Sequence, residues 1–319
     1  MIDAAKLIGQ TGILPVLNIK DEALVEPLAQ VLLKHGIYGI EVLFRNEKAV
    51  NVLKKMKATH PEMAVGAGTV MTVAQAQIAL DAGADFIVCP GYVQSLVDFC
   101  NEHGILIVPG CTTASEIQCA YASGLRTVKF FPAEMLGGVK HIEEYAKVFK
   151  EMKFVPTNGI TMDNFTDYLK KDFVLACGGS FMAPASALDV GNFEKIDALC
   201  AQAVERSLGF SLAHVGINAD GNEDAQRIAA ALSSLFLFPV IDHSRSVFSG
   251  AAVECMKENG RGAKGHIGFR TLSVDRAVAY LERKGVKFAM ETAGYDEKGS
   301  LKFVYLQDEI AGFAIHLVK

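Results

Sequence analysis

Short apolar runs alternate with amphipathic stretches of ten to fifteen residues from position 13 onward. Eight of the runs are β-branched or apolar, which is typical of strands buried in a parallel sheet. These predicted strands lie at 13–19, 39–44, 64–68, 86–90, 106–110, 127–131, 153–157 and 173–179. The stretches between them begin with capping or acidic residues, and several end at glycine, as helices do. The alternation predicts an α/β fold, a (β/α)8 TIM barrel, in residues 1–208.

The pattern changes after the amphipathic stretch 192–209. Strand-like segments follow at 211–218, 246–257, 265–271, 286–292, 301–309 and 312–319, with helical patterns at 223–236 and 274–285. The segments LAHVGIN and KGHIGFRT share a histidine followed by apolar, glycine and apolar residues, and each leads into a helix. This similarity predicts a duplicated βαββ-type module in a second, small α+β domain, residues 209–319.

Composition narrows the choice of partners. The 319 residues carry a net charge of −5, and the longest apolar runs are strand-sized, so neither a nucleic-acid partner nor a membrane is expected. The amino terminus lacks the pattern of a secretory signal, which favours a cytoplasmic location. Seven cysteines, an odd number without a CxxC pair, are expected to be free thiols. Cys111 is either a reactive thiol at a helix start or a small loop-end residue, and the sequence favours the second interpretation.

Polar side chains follow several predicted barrel strands, where the chemistry of such barrels takes place. They are Glu41, Arg45, Thr69, Lys129, Thr157 and Ser180, with Pro90 beside them. Lys129 lies in VKFFPAE, and an amine among apolar side chains loses its proton more readily than one in water. Such an amine can attack a ketone and form an iminium, while a carboxylate moves the protons. Glu41 is the available carboxylate.

Simpler interpretations remain open for each of these features. A single lysine on a strand is more often exposed than catalytic, and Glu41 could form a structural salt bridge with Arg45. The turns TNGI (157–160) and CGGS (177–180) could be ordinary tight turns. The same turns could hold phosphate, because glycine lets the backbone approach an anion closely.

The succession GIYGIEVLFRNEKA, VGAGTV, FIVCPGY, TVKFFPAEMLGG, FVPTNGITMDNFTDYL and LACGGSFMAP resembles the 2-keto-3-deoxy-6-phosphogluconate (KDPG) and 4-hydroxy-2-oxoglutarate aldolase family. The resemblance covers residues 1–208. It implies that Lys129 forms a Schiff base and that Glu41 is the general acid/base, acting through a water. It implies further substrate contacts, with Arg45 and Thr69 on the carboxylate, Pro90, Phe131 and Thr157 around the pocket, and Gly159, Gly179 and Ser180 at the phosphate. Such enzymes are homotrimers that need no metal or other cofactor.

One departure from the family pattern affects the expected substrate. Members commonly have two adjacent glycines after the threonine of the TGGI turn, whereas this chain has Asn158 before Gly159. The resemblance therefore implies a 2-keto acid that is cleaved to pyruvate and an aldehyde. The aldehyde could be glyceraldehyde 3-phosphate or glyoxylate. The non-enzymatic alternative is a barrel that binds a keto acid without turnover.

Residues 209–319 resemble, more weakly, the glyoxalase or vicinal-oxygen-chelate superfamily, which implies paired βαβββ modules. The resemblance implies a divalent metal, such as Zn, Ni, Co, Mn or Fe, bound by His214, Glu254, His266 and His316. Histidines on strands are also common as structural residues, so this interpretation has an alternative. The domain could be a metal-dependent enzyme, or a module that binds an effector or supports assembly.

Overall fold

The computed structural model describes residues 2–319. The chain divides into two compact units, Met1–Ser207 and Leu208–Lys319. Among the described residues, no helix is both long and apolar enough to cross a membrane.

The amino-terminal unit contains a strand in each of the eight predicted segments. The strands are β1 (Ile13–Leu17), β2 (Gly39–Leu43), β3 (Ala64–Gly68), β4 (Phe86–Cys89), β5 (Leu106–Pro109), β6 (Thr127–Phe130), β7 (Lys153–Pro156) and β8 (Cys177–Gly179). β8 is shorter than predicted, because the N–H of Val174 closes a turn on the carbonyl of Lys171 and only one bridge joins Val174 to Phe154. Phe173 and Leu175 still share backbone hydrogen bonds with Phe154 of β7, but this single bridge is not continued as a strand.

Ten helices of the described chain belong to this unit or end at its boundary. They are α1 (Ala4–Thr11), α2 (Val25–Lys34), α3 (Ala49–Thr59), α4 (Val73–Asp81), α5 (Gln94–Glu102), α6 (Ala114–Ala122), α7 (Gly138–Val148), α8 (Phe165–Leu169), α9 (Ala185–Leu188) and α10 (Phe193–Leu208). Short 3₁₀ turns at Glu22–Leu24 and Glu134–Leu136 precede α2 and α7. Capping residues fix where helices begin. Thr113 is the N-cap of α6 and forms a capping box with Glu116, which satisfies two backbone N–H donors.

The strands form an α/β aldolase-type barrel region. Six of them make one sheet in the order β5-β4-β3-β2-β1-β8, and β6 pairs with β7. Every pairing among the eight is parallel. Single parallel bridges connect the two sheets, from Gly110 to Lys129 on one side and from Thr157 to Gly178 on the other. The carboxyl ends of all eight strands consequently face the same side.

Helix α1 packs against the interior of this region, a role that the alternating pattern from residue 13 onward did not reveal. Ala4 and Ile8 lie in one buried cluster with strand residues including Phe86, Val108 and Val155. This cluster fills the interior below the strand ends. The polar residues near the carboxyl ends of the strands therefore have an apolar floor beneath them.

The carboxyl-terminal unit is a mixed β-sheet domain with two helices. Its strands are β9 (Ser211–Asn218), β10 (Val240–Asp242), β11 (Ser246–Ser249), β12 (Val253–Met256), β13 (His266–Arg270), β14 (Phe288–Tyr295), β15 (Leu301–Leu306) and β16 (Ala314–Val318). Helix α11 (Asn222–Phe236) follows β9, and α12 (Val274–Glu282) follows β13. Each half thus has the order strand, helix and three strands. The segment 246–257, predicted as one strand, is two strands separated by a turn at Gly250.

The eight strands of this unit form one sheet in the order β10-β11-β12-β9-β13-β16-β15-β14. The first strands of the two halves, β9 and β13, pair antiparallel at its centre. Val247 and Cys255 pack with Ala225 and Ala229 of α11 in a buried cluster. Residues on neighbouring strands that pair directly lie on the same face of a sheet. The residues that alternate with Val247 and Cys255 therefore lie on the face away from α11.

Candidate active site

Lys129 and Glu41 meet inside the aldolase-type barrel region. Lys129 is on β6 and Glu41 is on β2, and Lys129 Nζ lies 3.6 Å from Glu41 Oε1. The side chains are only 10% and 1% exposed. An amine and a carboxylate so close together, beneath the strand ends, are the two groups that imine chemistry needs.

Glycines on the neighbouring strands provide the space that these groups occupy. A Cβ added at Gly68 of β3 would lie 2.6 Å from Cγ and 2.7 Å from Cδ of Glu41, and closer still to Oε1. A Cβ at Gly178 of β8 would lie 2.7 Å from Thr157 Oγ1. A side chain at either position would displace a polar group of the site. The close approach explains why these strand positions are glycine.

The environment of Glu41 favours proton uptake. Burial raises the pKa of the Glu41 carboxyl group, while the nearby charges of Lys129 and Arg45 oppose this effect. Glu41 Oε1 makes no hydrogen bond within the described chain. A buried carboxylate with a raised pKa, ion-paired with the amine beside it, is suited to exchange protons with a bound substrate.

Arg45 and Thr69 form a second pair at the ends of β2 and β3. The Arg45 Nε donates a hydrogen bond to Thr69 Oγ1 at 3.2 Å. Thr69 has a φ of 62°, a left-handed conformation that is costly for a β-branched residue. The two side chains offer a guanidinium and a hydroxyl at one place, a combination that can bind a carboxylate.

Phe131 and Pro90 lie at further strand ends. The Lys129 Nζ is 5.5 Å from the centre of the Phe131 ring. Pro90 is exposed directly after β4. Its carbonyl lies so close to Gly110, the residue after β5, that Gly110 could not carry a Cβ. Phe131 thus lies beside the amine, and Pro90 lies at the rim of the region.

The loops after β7 and β8 bring together the remaining predicted residues. Thr157 is buried at the end of β7, whereas Gly159 and Ser180 are exposed. Asn158 and Gly159 both have a φ of 77°, and a Cβ at Gly159 would approach Glu134 Cβ to 2.5 Å. Gly179 ends β8, so Ser180 begins the loop that follows. These two loops present backbone and hydroxyl groups at the same end as Lys129.

Sequence reasoning did not identify Glu134 and Tyr168, which support the Asn158–Gly159 turn. The Tyr168 hydroxyl donates a short hydrogen bond to Glu134 Oε1. The backbone N–H of Glu134 donates to the carbonyl of Asn158 at 3.4 Å. Burial, followed by Glu134, raises the pKa of the Tyr168 hydroxyl. The sequence signal that could have identified Glu134 was its position shortly after β6, in the FPAE segment that follows Lys129.

Two simpler interpretations of the sequence are also resolved by the geometry. The ion pair of Glu41 is with Lys129, while Arg45 bonds Thr69. Cys111 is fully buried, and burial strongly raises the pKa of its thiol, so it is not a reactive thiolate.

The family model for KDPG and KHG aldolases matches residues 5–199. The chain belongs to this family. The 2-dehydro-3-deoxy-phosphogluconate aldolase of Treponema pallidum (strain Nichols) is 38% identical to this aldolase over 205 residues, which are 64% of the chain and 98% of the relative. The KHG/KDPG aldolase of Escherichia coli (strain K12) is 38% identical over 203 residues, 63% of the chain and 95% of the relative.

A solved structure of KDPG aldolase from Legionella pneumophila, with pyruvate captured as a covalent carbinolamine intermediate, is also similar to this aldolase. It has a TM-score of 0.61 and 32% identity, over 63% of this chain and 98% of that one. The amino-terminal unit is accordingly a class I aldolase, a carbon–carbon lyase that releases pyruvate. The family match ends at residue 199, so it does not describe the carboxyl-terminal unit.

Three histidines converge in the carboxyl-terminal unit of the aldolase. His214 Nε2 lies 3.2 Å from His266 Nε2 and 3.1 Å from His316 Nε2. Glu254 Oε2 lies 3.1 Å from the same atom of His266 and 3.4 Å from that of His214. His266 and His316 are buried, and His214 is half-buried. The three histidines could hold a metal ion, and Glu254 Oε2 lies beside two of them.

The repeated His-x-Gly segments explain how these side chains come together. His214 pairs with Gly268 across the central strands, and His266 pairs with Gly216. A Cβ at Gly268 would lie 2.7 Å from His316 Nε2 and 2.8 Å from His214 Cε1. A Cβ at Gly216 would overlap the His266 ring. Each glycine thus makes room for the histidine of the other half.

The protonation states of this cluster also suit metal binding. Burial, followed by the neighbouring His214 and His266, lowers the pKa of His316 to about 3. Burial likewise lowers the pKa of His214. Burial would raise the pKa of Glu254, but hydrogen bonds from His266 and Ser246 outweigh that effect and lower it. Histidine binds divalent metals as the neutral imidazole, and the lowered pKa favours that form at His214 and His316.

Proposed function

We propose that Lys129 is the Schiff-base nucleophile of this class I aldolase and that Glu41 is its general acid/base. The observation that carries the proposal is their buried pairing at 3.6 Å within the family-matched region. The raised pKa of the buried Glu41 carboxyl group supports a role in proton transfer.

The reaction follows from these two groups. Lys129 Nζ adds to the C2 ketone of a 2-keto acid, and loss of water gives an iminium. Glu41 takes the proton of the C4 hydroxyl, directly or through a water, as the C3–C4 bond breaks. The bond electrons move into the iminium and form an enamine, and the aldehyde leaves. Protonation at C3 and hydrolysis then release pyruvate and restore the free amine.

The remaining residues are assigned by their position around this pair. Arg45 and Thr69 bind the carboxylate of the keto acid, because they offer a guanidinium and a hydroxyl beside Glu41. Phe131, whose ring centre is 5.5 Å from the Lys129 amine, shapes the pocket together with Pro90 and the buried Thr157.

The aldehyde half of the substrate lies toward the loops after β7 and β8. Gly159, Gly179 and Ser180 can offer N–H and hydroxyl donors to an anion there. The anion is a phosphate in a KDPG-type substrate and a carboxylate in 4-hydroxy-2-oxoglutarate. Asn158 carries a side chain into this turn, where members of the family commonly have glycine. The substrate preference is therefore tested by comparing kcat/KM for the two substrates directly.

Two variants test the assignment of the chemistry. Lys129→Ala is expected to lose at least 99% of the cleavage rate, because no other group can form the imine. Glu41→Gln is expected to form the pyruvate adduct and to turn over far more slowly. Lys129→Ala with more than a few per cent of wild-type activity would remove the lysine from the mechanism, and a fully active Glu41→Gln would remove the glutamate.

The family resemblance also supports an architecture for the amino-terminal part. We propose a closed (β/α)8 barrel in residues 1–208 that assembles as a homotrimer, followed by the domain 209–319. The two bridges that connect β5 to β6 and β7 to β8 support closure. Light scattering of the full chain tests the assembly, since a trimer has three times the mass of the 34.3 kDa chain.

A second function is favoured by the histidine cluster. We propose that His214, His266, His316 and Glu254 bind one divalent metal, in a domain of paired βαβββ modules related to the glyoxalase superfamily. The convergence of three Nε2 atoms and one carboxylate oxygen supports the site. A bound metal would supply Lewis-acid chemistry, while these four residues fix its position and leave room for a further ligand.

Metal analysis tests this second function directly. The purified chain is expected to hold one equivalent of metal after loading with Zn(II), Ni(II), Co(II), Mn(II) or Fe(II) and removal of the excess. His266→Ala and His316→Ala are expected to lose it without losing aldolase activity. Absence of stoichiometric metal under all five loading conditions would leave the cluster as a structural feature.

A further inference from the structure

The two edges of the carboxyl-terminal sheet are built differently. β10 and β14 occupy corresponding places in the two halves, since each follows its helix and each ends the sheet. The pairing of β14 with β15 contains shifts of register, and β14 carries Glu291, which pairs with Arg261. Irregular register and charged side chains protect an edge strand from pairing with other chains. β10, in contrast, pairs with β11 in a regular register.

The segment that leads into β10 exposes apolar side chains. Six of them are between 42% and 90% exposed, namely Leu235, Phe236, Leu237, Phe238, Val240 and Ile241. The corresponding connection in the other half, from α12 to β14, carries the charged residues Glu282, Arg283, Lys284 and Lys287. The order of elements that the two halves share therefore does not require an exposed apolar segment at this place.

Leu237 is the most exposed residue of this segment. It is the C-cap of α11, it has a φ of 58°, and its side chain is 90% exposed. A left-handed backbone favours glycine, and the connection in the other half has Gly285 with a φ of 84°. Leucine at this position combines backbone strain with exposed apolar surface, and both disfavour an isolated chain. Burial of Leu237 against a partner would offset both costs.

The outer edge of β10 offers backbone groups to a further strand. The N–H of Gly250 donates to the carbonyl of Pro239 at 2.9 Å, so the backbone groups of Pro239 are directed toward β11. These groups alternate along a strand, so the N–H and carbonyl of Val240 and Asp242 are directed away from β11. The missing N–H of Pro239 would also have been directed toward β11. The proline therefore does not interrupt the outer edge.

This outer edge is complementary to itself. A two-fold axis at Ile241 places the β10 strand of a second copy antiparallel to the first, with Val240 opposite the second copy's Asp242. Each such pair can exchange two N–H···O hydrogen bonds. Ile241 then lies opposite its own counterpart in the non-hydrogen-bonded position, and the two Asp242 side chains do not face each other.

Charge and area also fit a second copy of this chain. Residues 235–241 contain no charged side chain, and the adjoining Asp242 is paired with Lys257 at 2.6 Å. A contact between identical surfaces needs this neutrality, because any unpaired charge near the axis would approach its own copy. Six side chains exposed to this extent present on the order of 600 Å² of apolar surface, compared with about 800 Å² that each partner buries in a standard interface.

We propose that the carboxyl-terminal unit binds a second copy of this chain through residues 235–242, with the two β10 strands paired antiparallel about Ile241. Each surface is used once, so the contact joins chains in twos. A trimer has three such surfaces, an odd number, and cannot pair all of them internally. The contact consequently joins one trimer to another and gives an assembly of at least six chains. Only this last step rests on the homotrimer proposed above.

Light scattering of the full chain tests the contact by mass. The wild type is expected to have six times the chain mass or a larger even multiple. Ile241→Lys, which places two positive charges at the axis, is expected to reduce the mass to that of the trimer. Leu237→Gly, which suits the left-handed backbone, is expected to raise the dissociation constant of the contact at least tenfold. Met290→Lys, at an exposed position of β14, is the matched control and should leave the mass unchanged.

Cross-linking tests the register. Ile241→Cys is expected to form a disulfide between chains under mild oxidation, because the Cα atoms of a non-hydrogen-bonded pair are about 4.5 Å apart. Val240→Cys is the matched control, since its counterpart is displaced by two residues and lies beyond the roughly 7 Å that a disulfide can span. The wild type is treated in parallel, because it contains the exposed Cys119.

The outcomes separate this contact from the barrel trimer. A wild type that is a trimer and forms nothing larger would overturn the contact and leave the trimer in place. A wild-type dimer that Ile241→Lys converts to a monomer would support the contact and contradict the trimer. An unchanged mass in both Ile241→Lys and Leu237→Gly, with aldolase activity showing that the variants are folded, would overturn the contact. Cross-linking of Val240→Cys without cross-linking of Ile241→Cys would contradict the pairing about Ile241.

Discussion

Substituting Gly68 by alanine perturbs the distance between the two catalytic candidates without changing either of them. The new Cβ would lie 2.6 Å from Glu41 Cγ and 2.7 Å from Cδ, and closer still to Oε1. Non-bonded heavy atoms need more than about 3 Å, so the Glu41 carboxylate has to move by about 1 Å. Glu41 is 1% exposed, so little free space is available for that movement.

A displacement of this size has a calculable consequence for the rate. Misplacing a catalytic group by about 1 Å costs on the order of 100-fold, equivalent to about 2.7 kcal/mol in activation free energy. We therefore expect Gly68→Ala to lower kcat for keto-acid cleavage about 100-fold. Lys129 is unchanged, so the variant should still form an imine with pyruvate. A coupled assay for pyruvate release measures kcat, and borohydride trapping measures the imine.

The control is Gly294→Ala, another strand position where a Cβ would make only an ordinary contact, 3.6 Å from Phe303 Cβ. It should leave kcat within twofold of wild type. Wild-type turnover by a folded Gly68→Ala enzyme would refute the reasoning, because it would mean that the position of the Glu41 carboxylate does not limit the reaction. Loss of imine formation together with kcat would point instead to general disruption of the site.

Three further outcomes are expected. Burial raises the pKa of Glu41, and the charge of Arg45 opposes this effect. Arg45→Gln should therefore raise that pKa further and move the acidic limb of the kcat–pH profile to higher pH. An unmoved limb would contradict an electrostatic coupling between Arg45 and Glu41. Gly268→Ala should reduce metal content below one tenth of an equivalent, because its Cβ would displace His316 and His214, and full metal loading would disprove the packing argument. Thr113→Ala removes the capping box of α6 and should lower the free energy of unfolding by about 1 kcal/mol in urea titrations, whereas an unchanged midpoint would show that the cap contributes nothing.

The strands of the amino-terminal unit could be predicted because each is a local run of apolar residues. The role of α1 could not, since Ala4 and Ile8 become meaningful only when the strand interior against which they pack has formed. The predicted start of the eighth strand was also too early, at Phe173 instead of Cys177. There a backbone turn between Lys171 and Val174 prevails over the β propensity of the side chains.

The positions of the site residues at strand ends followed from the repeated pattern, but their pairing did not. The 3.6 Å separation of Lys129 and Glu41 depends on glycines of other strands, such as Gly68. The left-handed Thr69 is a tertiary effect that its β-branched side chain would not suggest. Tyr168 was not identified from the sequence, because its bond to Glu134 joins residues 34 positions apart.

In the carboxyl-terminal unit, too, some features could be predicted from the sequence and others could not. The repeated His-x-Gly segments indicated equivalent strands, and the structure pairs them so that each histidine faces the other glycine. Strand β10 was not predicted, because its three residues are exposed and follow Pro239.

The most direct test of the central claim is incubation of the full chain with pyruvate and borohydride, followed by peptide mass mapping. Reduction fixes an imine in place and therefore reports which amine carried it. One stable pyruvate adduct per chain is expected, on the peptide that contains Lys129. A folded protein with no adduct, or with the adduct on a different lysine, would contradict it.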